Sequence, residues 1–160
     1  MEETTPQHLG HLIRRAQQIH NKVWSLDVSD EVTSPQLFLL GALERYPGID
    51  QRTLGAVVSL DRSTTADVVD RMLGRGYVQK TRDPADRRRN VLRLTAAGED
   101  LVKELQPRAV KKEDRLLGML EPDDAAQLVR LLESFVTAAA DVETVELGSN
   151  GSGELDVNPR

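Results

Sequence analysis

Apolar residues recur first at Leu9, Leu12, Ala16, Ile19 and Val23, three and four positions apart. That spacing is one stripe of an amphipathic helix, running from Leu9 to about Leu26 and ending in the polar stretch Asp27 to Thr33. Residues 1–7 carry no pattern and are expected to fray. Ser34-Pro35 then predicts a second helix, with serine capping free N–H groups and proline at the first helical position, where the donor it lacks would be orphaned anyway. Leu37, Phe38, Leu40 and Leu43 form its expected buried side, and Pro47-Gly48 ends it. Asp50 is placed to cap a short helix, Gln51 to Val58, that would bury Leu54, Val57 and Val58. After the turn Ser59-Leu60, Asp61 or Arg62 opens a longer helix through Arg75. Its inward face is Val68, Val69, Met72 and Leu73, and Gly76 suits the left-handed residue past its end.

The helical period is then lost. Residues 77–82 and 90–94 favour strand, and Asp83-Pro84-Ala85-Asp86 between them has turn chemistry, so the pair predicts a hairpin with arginines at its tip. Thr95 caps the next helix, with Glu99 in its first turns, where the dipole favours a carboxylate. This helix carries Leu101, Val102 and Leu105. Pro107, which removes a backbone bond, is expected to kink or break it before it resumes to about Met119. Pro122-Asp123 restarts the chain, and Leu128, Leu132, Phe135, Ala139 and Val142 form a last stripe. Residues 148–160 are Gly, Ser, Asn and acid, and are expected to be a disordered tail. The fold class that follows is mainly α with a small β-hairpin wing, a winged helix-turn-helix between long N- and C-terminal helices.

Composition narrows the function. A chain of 160 residues with 39% hydrophobic and 29% charged residues fits one soluble domain, and no apolar run nears the ~20 residues of a membrane span. The polar, acidic start lacks the apolar stretch of a signal peptide, so a cytoplasmic location is expected. The absence of cysteine excludes disulfides, thiolate zinc sites and thiol-based redox sensing. The net charge of −5 looks wrong for a partner of nucleic acid, but its distribution is uneven. Arg71, Arg75, Lys80, Arg82, Arg87, Arg88, Arg89 and Arg93 share a window with only two acids, Asp83 and Asp86, so this segment is +6 and the remainder −11. A basic patch on an acidic body is an electrostatic footprint for a polyanion; on charge alone it is equally a solvated loop.

Two helices joined by a short turn and followed by a hairpin give that patch a geometry. Ser63, Thr64 and Thr65, at the start of the second helix, are small enough to approach phosphates and base edges in a major groove; alternatively they only cap the helix. The segment RDPADRRRNVLRLTAAG, residues 82–98, contains Asp86, one residue, Arg88, five residues, then Leu94-Thr95. With LDRSTTADVVDRMLGRGYV, residues 60–78, it resembles the wing and recognition helix of the MarR family of bacterial regulators, and the resemblance runs from about Leu9 to Val142. It implies a homodimer, with the terminal helices as interface, bound to a pseudo-palindromic operator in double-stranded DNA. The candidate DNA contacts are Arg62, Ser63, Thr64, Thr65, Asp67 and Arg71 on the helix and Arg82, Asp86, Arg87, Arg88 and Arg89 on the wing. An arginine at a wing tip can enter a narrow minor groove, and a carboxylate two residues earlier can orient it by a bidentate pair. Asp86 is thus expected to position Arg88, with Arg87 and Arg89 on phosphates. The corresponding domains are 1–33 for dimerisation and ligand, 34–95 for DNA, 96–147 for dimerisation, and the tail 148–160.

The first helix has a second face. Ile13, Gln17, His20 and Trp24 fall together on it, and Arg14 lies well off its centre, within reach only by its long side chain. An aromatic ring, a histidine and an arginine suit an aromatic carboxylate: stacking for the ring, charge-assisted hydrogen bonds for the acid. Equally, Trp24 is ordinary core and His20 a satisfied histidine. GHLIRRAQQIHNKVW, residues 10–24, resembles the first helix of MarR-type repressors of aromatic-acid catabolism, including protocatechuate-responsive ones. That resemblance implies that Arg14 and His20, with Gln17 and Trp24, hold a small aromatic carboxylate effector. No cofactor is expected. Other readings are a MarR-type regulator of efflux or stress genes, a metal sensor using His8, His11 and His20, and a winged-helix module for protein contacts. No nucleophile elbow, phosphate loop or metal-binding pair suggests an enzyme.

Overall fold

The structure, a computed structural model, describes residues 6–149. The described elements are α1 (Pro6–Asp27), α2 (Ser34–Arg45), α3 (Gln51–Val57), α4 (Arg62–Gly74), β1 (Val78–Arg82), β2 (Asn90–Leu94), α5 (Ala96–Leu117) and α6 (Pro122–Ser149). This is a winged helix-turn-helix, mainly α with a hairpin wing. Two compact units divide after Leu116, and α6 belongs to the second. No described helix is long and apolar enough to cross a membrane. Helix α1 begins at Pro6, ahead of the Leu9 stripe, and α6 continues through Gly148 and Ser149; the rest of the expected frayed end and tail lies outside the described residues.

The polar residues at the helix starts do the capping, with one correction. Asp50 and Asp61 cap α3 and α4, accepting from the backbone N–H of Thr53 at 3.0 Å and of Thr64 at 2.9 Å. For α2 the cap is Thr33 rather than Ser34. Gln36 stands three residues after Thr33 and its Oε1 accepts from the Thr33 N–H at 3.0 Å, half of a capping box, so Ser34 and Pro35 both lie inside the helix.

The core of the first unit gathers Leu39, Leu40 and Leu43 of α2, Leu54 of α3, Val69 and Met72 of α4, Leu92 of β2 and Val102 of α5. Phe38 is not part of it: with Leu37, Leu40 and Leu43 turned inward, a step of ~100° per residue carries Phe38 out, and it is 69% exposed. Val57 is exposed as well, and Gly55 is buried in its place. A Cβ on Gly55 would stand 2.7 Å from Thr65 Oγ1, so the bare backbone lets α3 and α4 close on each other. Leu73 packs partly buried against the core.

The strands pair antiparallel from Val78↔Leu94 to Arg82↔Asn90. Ile49 extends the ladder, accepting from Leu92 N–H at 2.9 Å, while Gly48 N–H donates to Leu92 O at 2.9 Å. Gly76 takes the left-handed conformation expected of it, at φ 74°. Thr95 joins wing to α5: its Oγ1 accepts from Gly98 N–H at 3.1 Å and donates to Gly76 O at 2.7 Å. A Cβ at Gly98 would meet Tyr77 O at 2.1 Å, so α5 lies directly on the root of the wing.

Helix α5 runs unbroken past Pro107 and stops at Leu117, against the expected break and the end near Met119. Pro107 and Lys103 are both exposed, so the Lys103 carbonyl deprived of its donor sits on the wet side, while Val102, Leu105 and Lys112 hold the buried side. Two apolar stripes stay uncovered: Leu9, Leu12 and Ile19 on α1, and Leu128, Leu132 and Phe135 on α6, all roughly half exposed.

Candidate functional site

The N-terminus of α4 is organised around Asp61. Its carboxylate accepts from Ser63 Oγ at 2.6 Å, Thr64 Oγ1 at 2.5 Å and Thr64 N–H. These bonds, the Ser63 hydroxyl's first, hold its pKa well below the usual carboxylate range. The Ser63 and Thr64 hydroxyl protons are therefore committed to the cap, which leaves their oxygens as acceptors. Thr65 is a correction: it is 2% exposed, donating to Asp61 O at 2.7 Å and packing on Gly55, so it holds α4 against α3 and offers nothing at the surface. Arg62, Asp67 and Arg71 are exposed on the same helix.

In the wing, Asp83 Oδ1 accepts from Ala85 N–H at 2.9 Å and Asp86 Oδ1 from Arg88 N–H at 3.0 Å. Asp86 thus grips the backbone of Arg88, and the expected pairing with its guanidinium is absent. A short carboxylate two residues before a turn N–H closes that local ring more readily than it reaches a long, exposed side chain. Arg82 Nη1 donates to Arg87 O at 3.1 Å, tying strand to tip. Arg89 also differs from expectation, pairing with Asp50 at 2.8 Å. Asp50 caps α3, so this contact ties the wing to the helix-turn-helix; its pKa is lowered, first by the Thr53 N–H and less by Arg89. Arg75 is likewise occupied, bonding Glu31 O at 2.8 Å and Glu31 Oε2 at 3.1 Å. Among the described residues, Arg71, Lys80, Arg82, Arg87, Arg88 and Arg93 form no ion pair.

The second face of α1 is only partly assembled as expected. Trp24 is buried, donates from Nε1 to Val32 O at 2.6 Å, and stacks on His20 with ring centroids 6.2 Å apart at 23°. His20, Gln17, Asn21 and Trp24 line a groove of about 640 Å³ against Thr33, Ser34 and the loop before them. A more apolar groove of about 750 Å³ opens on Trp24 between α2 and α5, lined by Leu37, Phe38, Val58, Val110 and Glu113 among others. Ile13 is half exposed and Gln17 exposed, donating to Asn21 Oδ1 at 2.9 Å. Arg14 is not brought to this pair; it is exposed, its Nη2 lying 3.3 Å from His11 Nδ1.

One residue escaped the sequence reading. The Lys112 side chain is fully buried, its Nζ 3.0 Å from His20 Nδ1, 2.7 Å from Glu113 Oε1 and 5.6 Å from the centre of the Trp24 ring. The signal was present, because Lys112 continues the inward stripe of Val102, Leu105 and Ala109. His20 has a lowered pKa, through burial first and the Lys112 charge second, against a smaller opposing effect of Glu113. No group of three His, Asp or Glu among the described residues is arranged to hold a metal ion.

A capped helix-turn-helix braced to a basic wing defines a DNA-binding protein. The MarR family profile matches residues 32–89, the segment from the start of α2 to the wing tip. The transcriptional regulator HosA of Escherichia coli O111:H- is 30% identical over 128 residues, 80% of this chain and 94% of that one. The PcaV transcriptional regulator from Streptomyces coelicolor, solved in complex with its natural ligand, is 45% identical with a TM-score of 0.76, over 85% of this chain and 94% of that chain. Bordetella bronchiseptica BpsR, whose DNA binding is regulated by 6-hydroxynicotinic acid, is 30% identical with a TM-score of 0.70, over 81% and 98%. The chain belongs to the MarR family: it is a transcriptional regulator and not an enzyme.

Proposed function

We propose that the protein is a cytoplasmic, homodimeric repressor of genes for aromatic-compound breakdown, released from its operator by a small aromatic carboxylate. The observation that carries this reading is the stacked His20–Trp24 pair lining an open groove on α1. The two rings give the groove an aromatic wall suited to an aromatic ligand, and Gln17 and His20 supply polar contacts. Arg14, exposed and beside His11, supplies the counter-charge for the acid by swinging its long side chain. The likeness to BpsR, regulated by an aromatic acid, and to PcaV supports the assignment.

On the DNA side, Arg62, Ser63, Thr64, Asp67 and Arg71 of α4 meet the major groove, and Arg88 enters the minor groove from the wing. Arg82 and Arg87 meet phosphates, Asp86 shapes the tip, and Arg89 contributes while holding Asp50. The uncovered stripes of α1 and α6 support self-association of residues 1–33 and 96–147 around the DNA-binding segment 34–95. A two-fold pair of such segments reads half-sites about 10 base pairs apart.

A repressor is released only when its ligand prefers the conformation that does not fit DNA, and operator DNA must weaken ligand binding by the same factor. The test is a gel shift on the DNA upstream of the protein's own gene, with and without hydroxybenzoates. The expected result is a salt-sensitive complex dissolved by an aromatic acid. A complex indifferent to every aromatic acid overturns the effector assignment and favours a regulator of efflux or stress genes.

A further inference from the structure

The second nitrogen of His20 has a fixed task that follows from Lys112. An ammonium group only donates, so a Lys112 Nζ 3.0 Å from His20 Nδ1 requires a lone pair on Nδ1. A neutral imidazole with its lone pair on Nδ1 carries its proton on Nε2. Its surroundings suit an ammonium: Nζ lies 2.7 Å from the Glu113 carboxylate and 5.6 Å from the centre of the Trp24 ring. Two hydrogen-bond acceptors and an indole face thus surround the buried group, and a buried ammonium needs such partners. Among the described residues, Trp24 stacks on His20 from its own helix, Lys112 and Glu113 act on it from α5, and Asp30 of the loop after α1 lines the same groove.

We propose that Lys112 is a positioning residue that locks His20 as the neutral Nε2–H tautomer, so that His20 presents a permanent hydrogen-bond donor to the groove it lines. This rests on the effector reading above and specifies it. The ligand must bring an acceptor oxygen, from a carboxylate or a ring hydroxyl, to His20, while an aromatic amine offered at that point leaves two donors opposed. His20 is not a cation for the acid, which leaves that role to Arg14. In the ligand-free protein burial and the Lys112 charge both disfavour imidazolium, with Glu113 opposing them.

The test begins with the full-length protein without ligand. Two-bond nitrogen–proton spectra of protein labelled with 15N-histidine are expected to show His20 as the Nε2–H tautomer at neutral pH. Lys112→Met should leave a tautomer mixture and a raised His20 midpoint, though not the full ordinary value because burial persists; Lys112→Arg should restore the wild-type pattern. An Nδ1–H tautomer in the wild type, or a pattern unmoved by Lys112→Met in folded protein, overturns the proposal. Calorimetric titration with 4-hydroxybenzoate then addresses the ligand. Lys112→Met should bind at least tenfold more weakly, Lys112→Arg close to wild type, and His20→Gln, which keeps an N–H donor, within a few-fold. Equal affinity of wild type and Lys112→Met overturns the ligand role of the lock while the effector reading stands. No binding by the wild type of 4-hydroxybenzoate or other aromatic acids overturns the effector reading, and the spectra alone then decide the tautomer.

Discussion

The wing tip and the seam between α1 and α5 hold cations in opposite ways. Arg87 and Arg88 stand in water, without ion pairs among the described residues, on a turn that Asp83 and Asp86 fix through backbone bonds alone. Lys112 is buried, with a carboxylate, an imidazole nitrogen and an indole face around it. The contrast separates two kinds of recognition. A polyanion is met from a distance and in many registers, so its receptor keeps long, solvated side chains on a stiff backbone. A small ligand must be met by groups already oriented, so its site fixes side chains with buried partners.

The sharpest way to break the comparison is to remove α6. A chain ending before Pro122 should lose dimerisation and operator binding together, measured by sedimentation and gel shift. A monomer that still binds the full operator tightly would show that the exposed α6 stripe is not an interface. Next in size is the wing. Arg88→Ala should weaken operator binding by about 1–3 kcal/mol with the fold intact, read by fluorescence anisotropy. Arg87→Ala should lower the slope of log affinity against log salt by about one. Arg89→Ala should act chiefly through the brace to Asp50, an exposed pair worth about 0–1 kcal/mol of stability. If Arg89 matters more than Arg88, the tip is not the reading point.

On the groove side, Arg14→Ala should leave operator affinity nearly unchanged and desensitise the protein to hydroxybenzoate; equal calorimetric affinities in variant and wild type would remove Arg14 from the site. The smallest expected effect is on pH. The folded pKa of His20 lies below its ordinary 6.5, so the unfolded chain binds the extra proton first as pH falls. Its contribution is complete above pH 6.5 and is lost on acidification. Urea midpoints measured from pH 7.5 to 5 should fall, and His20→Gln should flatten part of that decline.

The wing was legible because its chemistry is local. Residues 83–86 form a turn by their own side chains, and β2 begins and ends where its pattern does, at Asn90 and Leu94. The caps at Asp50, Asp61 and Thr95 are local in the same sense. What escaped depended on neighbours distant in sequence. Thr65 is inward because Gly55 leaves a place for it, Arg89 is claimed by Asp50, and the partner of His20 sits 92 residues away at Lys112. Helical periodicity placed His20 and Trp24 on one face and named the candidates, but a face is not a site, and Arg14 shows the difference. Phe38 marks another limit: hydrophobicity says that a side chain prefers burial, and only the phase of the helix says whether it gets it.

Helix α5 reads, finally, as a lever. One end is clamped at the wing root, where Thr95 bonds Gly76 and Gly98 and no Cβ could stand between Gly98 and Tyr77 O. The far arm carries Lys112, about 24 Å along the axis from Ala96 at ~1.5 Å per residue. A helix resists compression along its hydrogen bonds, so a push at Lys112 reaches the wing as tilt: about 2 Å of travel there corresponds to about 5° at the clamp. Pro107 lies between the two ends, and the bond it omits weakens the helix at that turn. Stiffness at position 107 is therefore the property that would set how much of a displacement at Lys112 reached the wing root, quite apart from how tightly anything binds at either end.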